Sequence, residues 1–437
     1  MLDSTVRRLR STALVLVALI ACVPLAEADV PPPSRVLSNY ETGQGKILRR
    51  DIGMSVPLPP MPGQQATQNR SAWIFGDTAL TDSQGNDEPY PFRPGTFAAI
   101  TPYTPGLVPT SLSEVPPPPT PFTFPNSGMP QLLVPRASNT EVKLPNGLPC
   151  TGTSGSYEAL YPTTWPFGAT RGPQGPMTLY NGSTPVSVAD GSQLVFLSMA
   201  DACVYKSALT APCADGDVWS PWAPIRWTFQ RTKLVAWRPS NNTIVATMPL
   251  FATSDGSCLP WQKQVFYQAI FRSGHLYLYS TDCDTYVAGF GSCVNGKVTV
   301  ARAPIGSLHN SAAYQWANGQ GGWTSNFASA ASVLPNSPGP LMIDVHDFSS
   351  AGEGLLLLEQ TSWGGHYNLY EATNPAGPWT LKRNNVRMTA CRTGNGEGCY
   401  NLYGHPELST PGHLMYSYYN VTEQFVIVTD TGGLPPN

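Results

Sequence analysis

Short strand-like segments recur along this chain, and each is followed by a polar loop and a tryptophan. From residue 190 onward the unit occurs three times, with strands expected at 193–199, 298–301 and 367–372. Amphipathic helical periodicity is scarce, so repeated β units must build the core. Many short strands in a repeating aromatic plan favour a β-propeller over a β-sandwich. The sequence therefore predicts an all-β fold, a β-propeller with five blades.

The predicted blades follow one another within one domain, residues 29–437. The first is built from the strands that carry Asp51 and Asp77, and an N-terminal strand is expected to complete the last. The other blades are expected to centre on residues 160–225, 230–300, 300–380 and 385–430.

Residues 102–135 interrupt this pattern because they are exceptionally rich in proline, including Pro116–Pro119. Proline lacks a backbone N–H, so the segment cannot lie inside a sheet or a helix. We expect an ordered excursion in polyproline conformation or a loop across one face. The alternative is a linker between two domains, which the similar strand pattern on both sides disfavours.

The charge of the chain argues against one class of partner. Charged residues make up only 12% of the sequence, the net charge is −3, and no basic block is present. Nucleic-acid binding, which needs a concentrated basic surface, is therefore not expected.

The first 28 residues carry the three parts of a secretory signal peptide. Arginines near the start precede an apolar stretch at residues 12–21, and Ala26-Glu27-Ala28 fits a cleavage site. The apolar stretch is too short to span a bilayer comfortably, and no other segment is long enough for a transmembrane helix. A secreted protein is predicted, and the alternative is a lipid anchor on Cys22.

Eight cysteines remain after the signal peptide, and an even number in a secreted chain predicts disulfides. A metal cluster is not indicated, because C-x-x-C motifs and histidines at zinc spacing are lacking. The expected pairs are Cys203–Cys213, Cys283–Cys293 and Cys391–Cys399, which leaves Cys150–Cys258.

The sequence contains four N-x-S/T sequons, which would be glycosylation sites if the protein comes from a eukaryote. Such asparagines are expected to be exposed and to carry glycans, as in a glycoprotein. They are Asn69, Asn181, Asn241 and Asn420.

Two aspartates are the candidate catalytic residues. The stretch Ser71-Ala72-Trp73-Ile74-Phe75-Gly76-Asp77-Thr78 predicts a buried strand that ends on a carboxylate, and Asp51 is predicted to lie at a bend between two strands. Carboxylates at the ends of inner propeller strands converge on one funnel. Two carboxylates that flank a glycosidic bond can protonate the leaving oxygen and activate water or attack directly.

Each aspartate also has an ordinary structural interpretation. Asp77 suits a turn with Thr78, in which a short carboxylate accepts backbone hydrogen bonds. Asp51 follows Arg49 and Arg50, so a surface ion pair with either one is the alternative to catalysis.

Both ends of the chain resemble one family of secreted propellers. Asp51-Ile52-Gly53-x-Ser55-Val56 and Trp73-Ile74-Phe75-Gly76-Asp77-Thr78 look like the opening of the family once called domain of unknown function 4185. Tyr403-Gly404-His405-Pro406-Glu407 with Met415-Tyr416-Ser417-Tyr418 is similar to its C-terminal signature. That family includes endo-D-arabinanases, which cleave internal furanoside bonds of mycobacterial-type arabinan. The resemblance implies a five-bladed propeller and an aspartate pair at Asp51 and Asp77.

Four further residues are candidates for substrate binding. Trp165 is expected to stack on a sugar ring, with a place in the core as the alternative. Glu158 is expected to add a third carboxylate to the funnel, with a solvated loop position as the alternative. His405 is expected to hydrogen-bond a sugar hydroxyl or a catalytic aspartate, with a structural histidine as the alternative. Tyr403 lies beside it in the same signature.

No cofactor is expected. Asp344-Val345-His346-Asp347 has the residue types of a metal site, and Asp344 and His346 would share one strand face. Polar residues at a strand end explain this motif more simply, and a structural Ca²⁺ has no support from the sequence.

The sequence thus predicts a secreted glycoside hydrolase, endo-arabinanase-like, that acts as a monomer on a glycan substrate. An arabinan-like furanoside polysaccharide is the expected substrate. The alternative is a non-catalytic carbohydrate-binding or surface-adhesion propeller, which keeps the funnel and its aromatic residues but needs no paired carboxylates.

Overall fold

The fold was analysed in a computed structural model. The part of the chain that the structure describes comprises residues 35–36, 41–42, 46–59, 69–81, 87–109, 112–115, 131–151, 153–154, 157–207, 225–282, 285–286, 293–294, 296–334, 337, 341–362, 365–388, 391, 398–420 and 425–430. The predicted signal peptide, including Cys22, lies outside these residues.

Strands dominate the described residues. In chain order they are β1 (Arg35–Val36), β2 (Glu41–Thr42), β3 (Lys46–Leu58), β4 (Arg70–Thr81), β5 (Asp87–Arg93), β6 (Phe97–Pro102), β7 (Ser113–Val115), β8 (Thr153–Ser154), β9 (Tyr157–Arg171), β10 (Met177–Asn181), β11 (Thr184–Val188), β12 (Val195–Ser207), β13 (Ile225–Arg238), β14 (Thr243–Ala252), β15 (Gln268–Arg272), β16 (His275–Asp282), β17 (Thr285–Tyr286), β18 (Cys293–Val294), β19 (Lys297–Pro304), β20 (Gln315–Ala317), β21 (Trp323–Thr324), β22 (Met342–Asp347), β23 (Leu355–Ser362), β24 (His366–Ala372), β25 (Thr380–Arg387), β26 (Cys399–Gly404), β27 (Met415–Asn420) and β28 (Phe425–Asp430).

Helical structure in the described residues is confined to single turns. One α-helical turn, α1, spans Trp261–Gln264. Short 3₁₀ turns occupy Gly191–Gln193, Ile305–Ser307, Ser311–Ala313, Phe327–Ser329 and Ser349–Ala351.

The strands form a series of antiparallel sheets that follow the chain. The first sheet has the order β2-β3-β4-β6-β7 with β5 beside β4, the second β8-β9-β12-β13-β14, and the third β15-β16-β19-β20-β21. The fourth is β22-β23-β24-β25, and the fifth is β26-β27-β28-β1. Strands β10 and β11, and β17 and β18, form separate two-stranded ribbons.

One strand of each larger sheet lines a central ring. Strand β3 contacts β9, β9 contacts β15, β15 contacts β22, β22 contacts β26, and β26 contacts β3 again. Strand β1 pairs with β28, so the N-terminal strand completes the last sheet as expected. The predicted all-β fold and its propeller arrangement are confirmed.

The boundaries between sheets differ from the predicted blade boundaries. Strands β13 and β14 extend the second sheet to Ala252, because β13 pairs along the length of β12. The third sheet therefore begins at β15 rather than near residue 230. Inner strand β9 contains Pro162 and Pro166. Because proline is disfavoured within strands, the sequence did not predict a strand of this length.

Apolar clusters fill the spaces between neighbouring sheets. Trp237 packs between the first and second sheets, and Trp316 between the second and third. Trp73 packs between the first and fifth sheets against Leu408 and Met415. Residues of the third and fourth sheets share one further cluster, and those of the fourth and fifth share another. The buried aromatic side chains thus hold the sheets in place around the ring.

The disulfide pattern corrects two predicted pairs. Cys150 is bonded to Cys203, so neither Cys203–Cys213 nor Cys150–Cys258 forms. Local spacing favoured Cys213, but the turns at 138–151 bring Cys150 against β12 in the same buried cluster. Cys258 is also disulfide-bonded. The predicted Cys391–Cys399 pair is confirmed. The Cys283–Cys293 pair stays a prediction, because Cys283 lies outside the described residues.

Both ends of the proline-rich segment are anchored to the first sheet. Strand β7 pairs with β6, and Val134 forms an isolated bridge with Thr96. Residues 116–130 lie outside the described part of the chain, so the expected polyproline conformation stays a prediction. The carboxylate of Glu114 on β7 lies inside the protein, where it pairs with Arg50.

Three of the four sequon asparagines are exposed, namely Asn69, Asn181 and Asn241. Asn420 is only 4% exposed, because it ends β27 inside the fifth sheet. The expectation of a surface glycan is therefore wrong for Asn420. No helix in the described residues is both long and apolar enough for a membrane crossing.

Candidate active site

Two irregularities in the pairing of β3 with β4 place the candidate aspartates together. Residue Arg50 lies opposite Thr78, and Ile52 lies opposite Phe75, so Asp51 faces both Gly76 and Asp77. The sequence predicted that the strand ends at Asp77, but β4 continues to Thr81. Such bulges redirect side chains next to functional sites. Here they place two half-buried carboxylates on adjacent strands of the first sheet.

The backbone beside Asp51 adopts an unusual conformation. Ile52 has φ 66° and Gly53 has φ 130°, both in the region that L side chains rarely adopt. A β-branched residue with positive φ is a strained outlier, and such strain persists only where the surroundings enforce it. The Asp-Ile-Gly sequence therefore forms the bend that was predicted at Asp51.

Gly76 makes the close approach of Asp51 possible. A Cβ atom on residue 76 would overlap Oδ1 of Asp51 and would lie 2.6 Å from Cδ1 of Ile52. The carboxyl group of Asp51 thus packs directly on the backbone of β4. It occupies the space that a side chain at position 76 would need.

Replacing Gly76 with alanine is expected to displace the Asp51 carboxyl and to destabilise the fold by about 1–3 kcal/mol, as overpacking does. If Asp51 is catalytic, as the sequence predicts, glycan hydrolysis should also fall at least about 100-fold, since a misplaced catalytic group loses most of its effect. The measurements are thermal unfolding and the rate of oligosaccharide release. Gly306→Ala is the matched control, because a Cβ there meets no atom within 4 Å. Unchanged activity of Gly76→Ala would contradict the catalytic role that the sequence predicts for Asp51.

Asp77 is held by two N–H donors. The indole Nε1 of Trp165 donates to Oδ1 at 2.6 Å, and the backbone N–H of Gly95 donates to the same oxygen at 3.1 Å. Burial raises the pKa of Asp77 to about 7, while these two hydrogen bonds and the charge of Arg136 oppose the increase. The carboxyl therefore changes its charge near neutral pH.

Asp51 is less well satisfied than Asp77. The hydroxyl of Tyr400 donates to Oδ2 at 3.4 Å, and Oδ1 is buried without a hydrogen bond. Burial raises the pKa of Asp51 well above its ordinary value, and the charge of Asp77 raises it further. Contacts from the Asp77 backbone N–H and from Tyr400 oppose this in part. Asp51 therefore has fewer hydrogen-bond donors than Asp77 to stabilise its carboxylate form.

The alternative interpretation of Asp51, an ion pair with Arg50, does not match the geometry. Arg50 lies 2.8 Å from Glu114, and both side chains are 1% exposed. The Arg50 guanidinium also lies over the ring of Phe75, 4.7 Å from its centroid. Arg50 and Glu114 therefore form an ion pair and not a hydrogen bond. The side chain of Arg49 lies outside the described residues.

Two tyrosines complete the surroundings of the aspartate pair, and the sequence did not single them out. Tyr161 on β9 and Tyr400 on β26 are half-buried. Burial raises the pKa of both hydroxyls, and the charges of Asp51 and Asp77 raise it further. Both tyrosines therefore stay protonated and can donate hydrogen bonds toward the carboxyls or a substrate. They could be found only from their positions on inner strands, and the sequence alone does not show which strands are inner.

The predicted substrate-binding residues separate into two groups. Trp165 lies at the site, half-buried, with its N–H on Asp77. Glu158 lies on β9 opposite Lys206, and its side chain lies outside the described part of the structure. Tyr403 and His405 are 1% and 0% exposed, respectively. The expected sugar contacts of Tyr403 and His405 do not fit this burial.

Tyr403 and His405 have structural partners in the interior. The Tyr403 hydroxyl donates to the carbonyl oxygen of Phe167 at 3.3 Å. Nδ1 of His405 lies 2.6 Å from Oγ of Ser55, whose hydroxyl also contacts Glu407. The His405 ring packs on Trp73 with centroids 4.7 Å apart. Burial lowers the pKa of His405 and raises that of Glu407, so both groups favour their neutral forms.

The Asp344 motif also serves the interior. Oδ1 of Asp344 accepts from Nε2 of Gln268 at 2.6 Å and lies 3.2 Å from Nε2 of His346. Its Oδ2 accepts from the backbone N–H of Gly404 at 2.6 Å. These contacts join the inner strands β15, β22 and β26. Within the described ranges, no group of histidine, cysteine, aspartate and glutamate residues is arranged to hold a metal ion.

Comparison with known proteins shows one partial family match. Residues 231–430, less than half of the chain, match the family described as domain of unknown function (DUF5005). The resemblance to domain of unknown function 4185 stays a prediction, since the matching family is a different one. No curated protein matches the chain.

Several solved structures are similar to this chain over most of its length. A protein of Bacteroides ovatus ATCC 8483, provisionally assigned as a hydrolase, is 14% identical with a TM-score of 0.47, covering 93% of this chain and 97% of its own. A family 117 glycoside hydrolase of Zobellia galactanivorans is 8% identical with a TM-score of 0.41, covering 92% and 91%. An α-L-arabinofuranosidase of Fusarium graminearum is 10% identical with a TM-score of 0.32, covering 92% and 97%. With these TM-scores, the likenesses carry no argument about activity.

Proposed function

We propose that this protein is a secreted glycoside hydrolase that uses Asp51 and Asp77 to cleave a furanoside-type, arabinan-like polysaccharide. The observation that carries the proposal is the pair of half-buried carboxyls, on adjacent strands, whose pKa values are both raised. Ionisable groups with perturbed pKa values in partly exposed positions are characteristic of acid–base catalysis. The choice of arabinan comes from the sequence resemblance.

The hydrogen bonds favour different roles for the two aspartates. Asp77 accepts two N–H donors, which stabilise a carboxylate, so it is the proposed base or nucleophile. Asp51 has one distant hydroxyl partner and lies beside the charge of Asp77, so it is the proposed general acid. During cleavage Asp51 would give its proton to the leaving glycosidic oxygen, while Asp77 attacks or activates water.

This assignment predicts the pH dependence of hydrolysis. Because the pKa of Asp77 is about 7, kcat/KM should rise as pH increases through neutrality and the base ionises. It should fall again at higher pH, when Asp51 loses its proton. Trp165→Phe removes the donor to Asp77 and should move the lower limb to higher pH by roughly one unit. A pH profile of kcat/KM for both proteins makes the measurement, and an unshifted lower limb would contradict the assignment.

Further features are proposed together with this activity. We interpret the five larger sheets as five blades, with the site formed by β3 and β4 of the first sheet and by the inner strands β9 and β26 of the second and fifth sheets. The disulfides Cys150–Cys203 and Cys391–Cys399 are compatible with an extracellular location, where such bonds persist.

A non-catalytic carbohydrate-binding propeller is the second candidate. The half-buried aromatic side chains near Asp77 favour it, since stacking on sugars needs no carboxylates. The first experiment is therefore incubation of the wild-type protein with arabinan and arabinogalactan. Released oligosaccharides would support the hydrolase, whereas retention of bound glycan without products would support the binding module.

A further inference from the structure

A row of aromatic rings crosses the second sheet beside Asp77 and ends at the start of the third sheet. In order, the rings belong to Trp227, Trp165, Phe229, Phe167 and Tyr267, and we call them the aromatic row. Adjacent centroids lie 5.8, 6.1, 5.7 and 5.7 Å apart, all in edge-to-face contacts. Phe229 is 5% exposed, whereas the other four rings are half-buried.

Small residues on the central strand create this row. Trp165 and Phe167 lie on β9, and Phe229 lies on β13, with β12 between the two strands. On β12, Ala200 and Ala202 are fully buried in the same cluster. Since alanine side chains end at Cβ, the large rings from both sides meet above them. Four of the five rings therefore stay partly exposed to solvent instead of being buried between the sheets.

We propose that the aromatic row binds successive sugar rings of a linear glycan chain whose scissile bond lies at Asp51 and Asp77. This inference rests on the proposed function, which it deepens by giving the site a binding track. The row is continuous with the carboxyl pair, because the Trp165 indole donates directly to Asp77. The apolar face of a sugar ring packs on an aromatic ring, while its hydroxyls stay hydrated. A neutral oligosaccharide chain therefore has the chemistry that suits the row.

Trp227 is the residue that tests the row, because it contacts the ring of Trp165, whereas Trp165 itself bonds to Asp77. Binding of arabino-oligosaccharides, from disaccharide to hexasaccharide, is measured by calorimetry on an Asp77→Asn background that prevents hydrolysis. Affinity should increase with chain length, and Trp227→Ala should remove that increase, weakening the hexasaccharide about tenfold. Trp323→Ala is the matched control, because Trp323 is a half-buried tryptophan on the third sheet, stacked with Arg302 at 4.0 Å. Xylo-oligosaccharides form a second arm that separates furanose from pyranose rings.

The outcomes separate the row from the hydrolase. Length-dependent binding that Trp227→Ala abolishes supports the row, whether or not the wild type releases products. If the wild type binds in this way but cleaves neither glycan, the row stands and the hydrolase proposal fails. Equal binding by Trp227→Ala and Trp323→Ala overturns the row even if hydrolysis is observed. Absence of binding to both oligosaccharide series overturns it as well.

Discussion

Replacing Asp77 with asparagine is expected to lower the rate of glycan hydrolysis by about 10³–10⁴-fold, while the protein becomes more stable above neutral pH. The amide cannot act as a base or nucleophile, and acid–base groups contribute rate factors of this size. The amide oxygen can still accept from Trp165 and Gly95, because both donate to Oδ1 in the wild type. The geometry of the site should therefore survive the substitution.

The stability change follows from the raised pKa of Asp77. The pKa rises from an ordinary value of 3.8 to about 7 on folding, so the folded protein holds a proton that the unfolded chain releases. Wild-type stability therefore falls as pH rises through that window, and the full penalty is present above about pH 7. Asparagine carries no such penalty, so the free energy of unfolding should increase by about 1–3 kcal/mol near pH 8. Near pH 4 the difference should vanish.

Denaturant unfolding of both proteins across this pH range makes the comparison. Asp190→Asn is a suitable control. Hydrogen bonds from Ser192 lower the pKa of Asp190, whereas burial raises that of Asp77. The control should not gain stability at alkaline pH. A variant of Asp77 that is less stable than the wild type near pH 8 would contradict the electrostatic account of the site.

The second large effect is expected on the stability of the fold when the buried Arg50–Glu114 ion pair is broken. Glu114→Gln removes the partner of Arg50, whose guanidinium is 1% exposed. An uncompensated buried charge typically costs about 3–5 kcal/mol, far more than a lost surface pair. Thermal and denaturant unfolding should show this loss even though Glu114 lies in the proline-rich segment.

A surface ion pair provides the matched comparison. Arg231 lies 2.7 Å from Glu141, and the two side chains are 25% and 46% exposed. Glu141→Gln should therefore cost no more than about 1 kcal/mol. Similar losses for the two variants would contradict the burial of the Arg50–Glu114 pair and would mean that the pair is hydrated.

Local patterns were sufficient to predict most strands but not their partners. The segments 298–301 and 367–372 lie within β19 and β24, because aromatic and β-branched runs favour strands wherever they pack. Strand β9 was missed as a continuous element, since its two prolines are ordinarily excluded from sheet interiors. Propensity describes the isolated segment. In the described part of the sheet, β8 pairs only with residues 157–158, so β9 is an edge strand at both prolines and lacks a strand partner on that side.

The site was predictable only where its residues share a short segment. The sequence indicates Asp51 and Asp77 because each lies in a recognisable strand motif. The donors Trp165 and Tyr400 come from the second and fifth sheets, and the sequence does not state which inner strands adjoin the first. Tyr403 and His405 lie in a motif as distinctive as that of Asp77, yet they are buried. Motif specificity alone therefore does not separate the half-buried polar residues from the fully buried ones.

The most direct test of the account compares oligosaccharide release from arabinan by the wild type, Asp51→Ala and Asp77→Ala under identical conditions. All three proteins should be folded, and each should first be shown to bind the glycan. The account predicts products from the wild type and none above background from either variant. Release at the wild-type rate by either alanine variant would contradict the proposal that Asp51 and Asp77 form the catalytic pair.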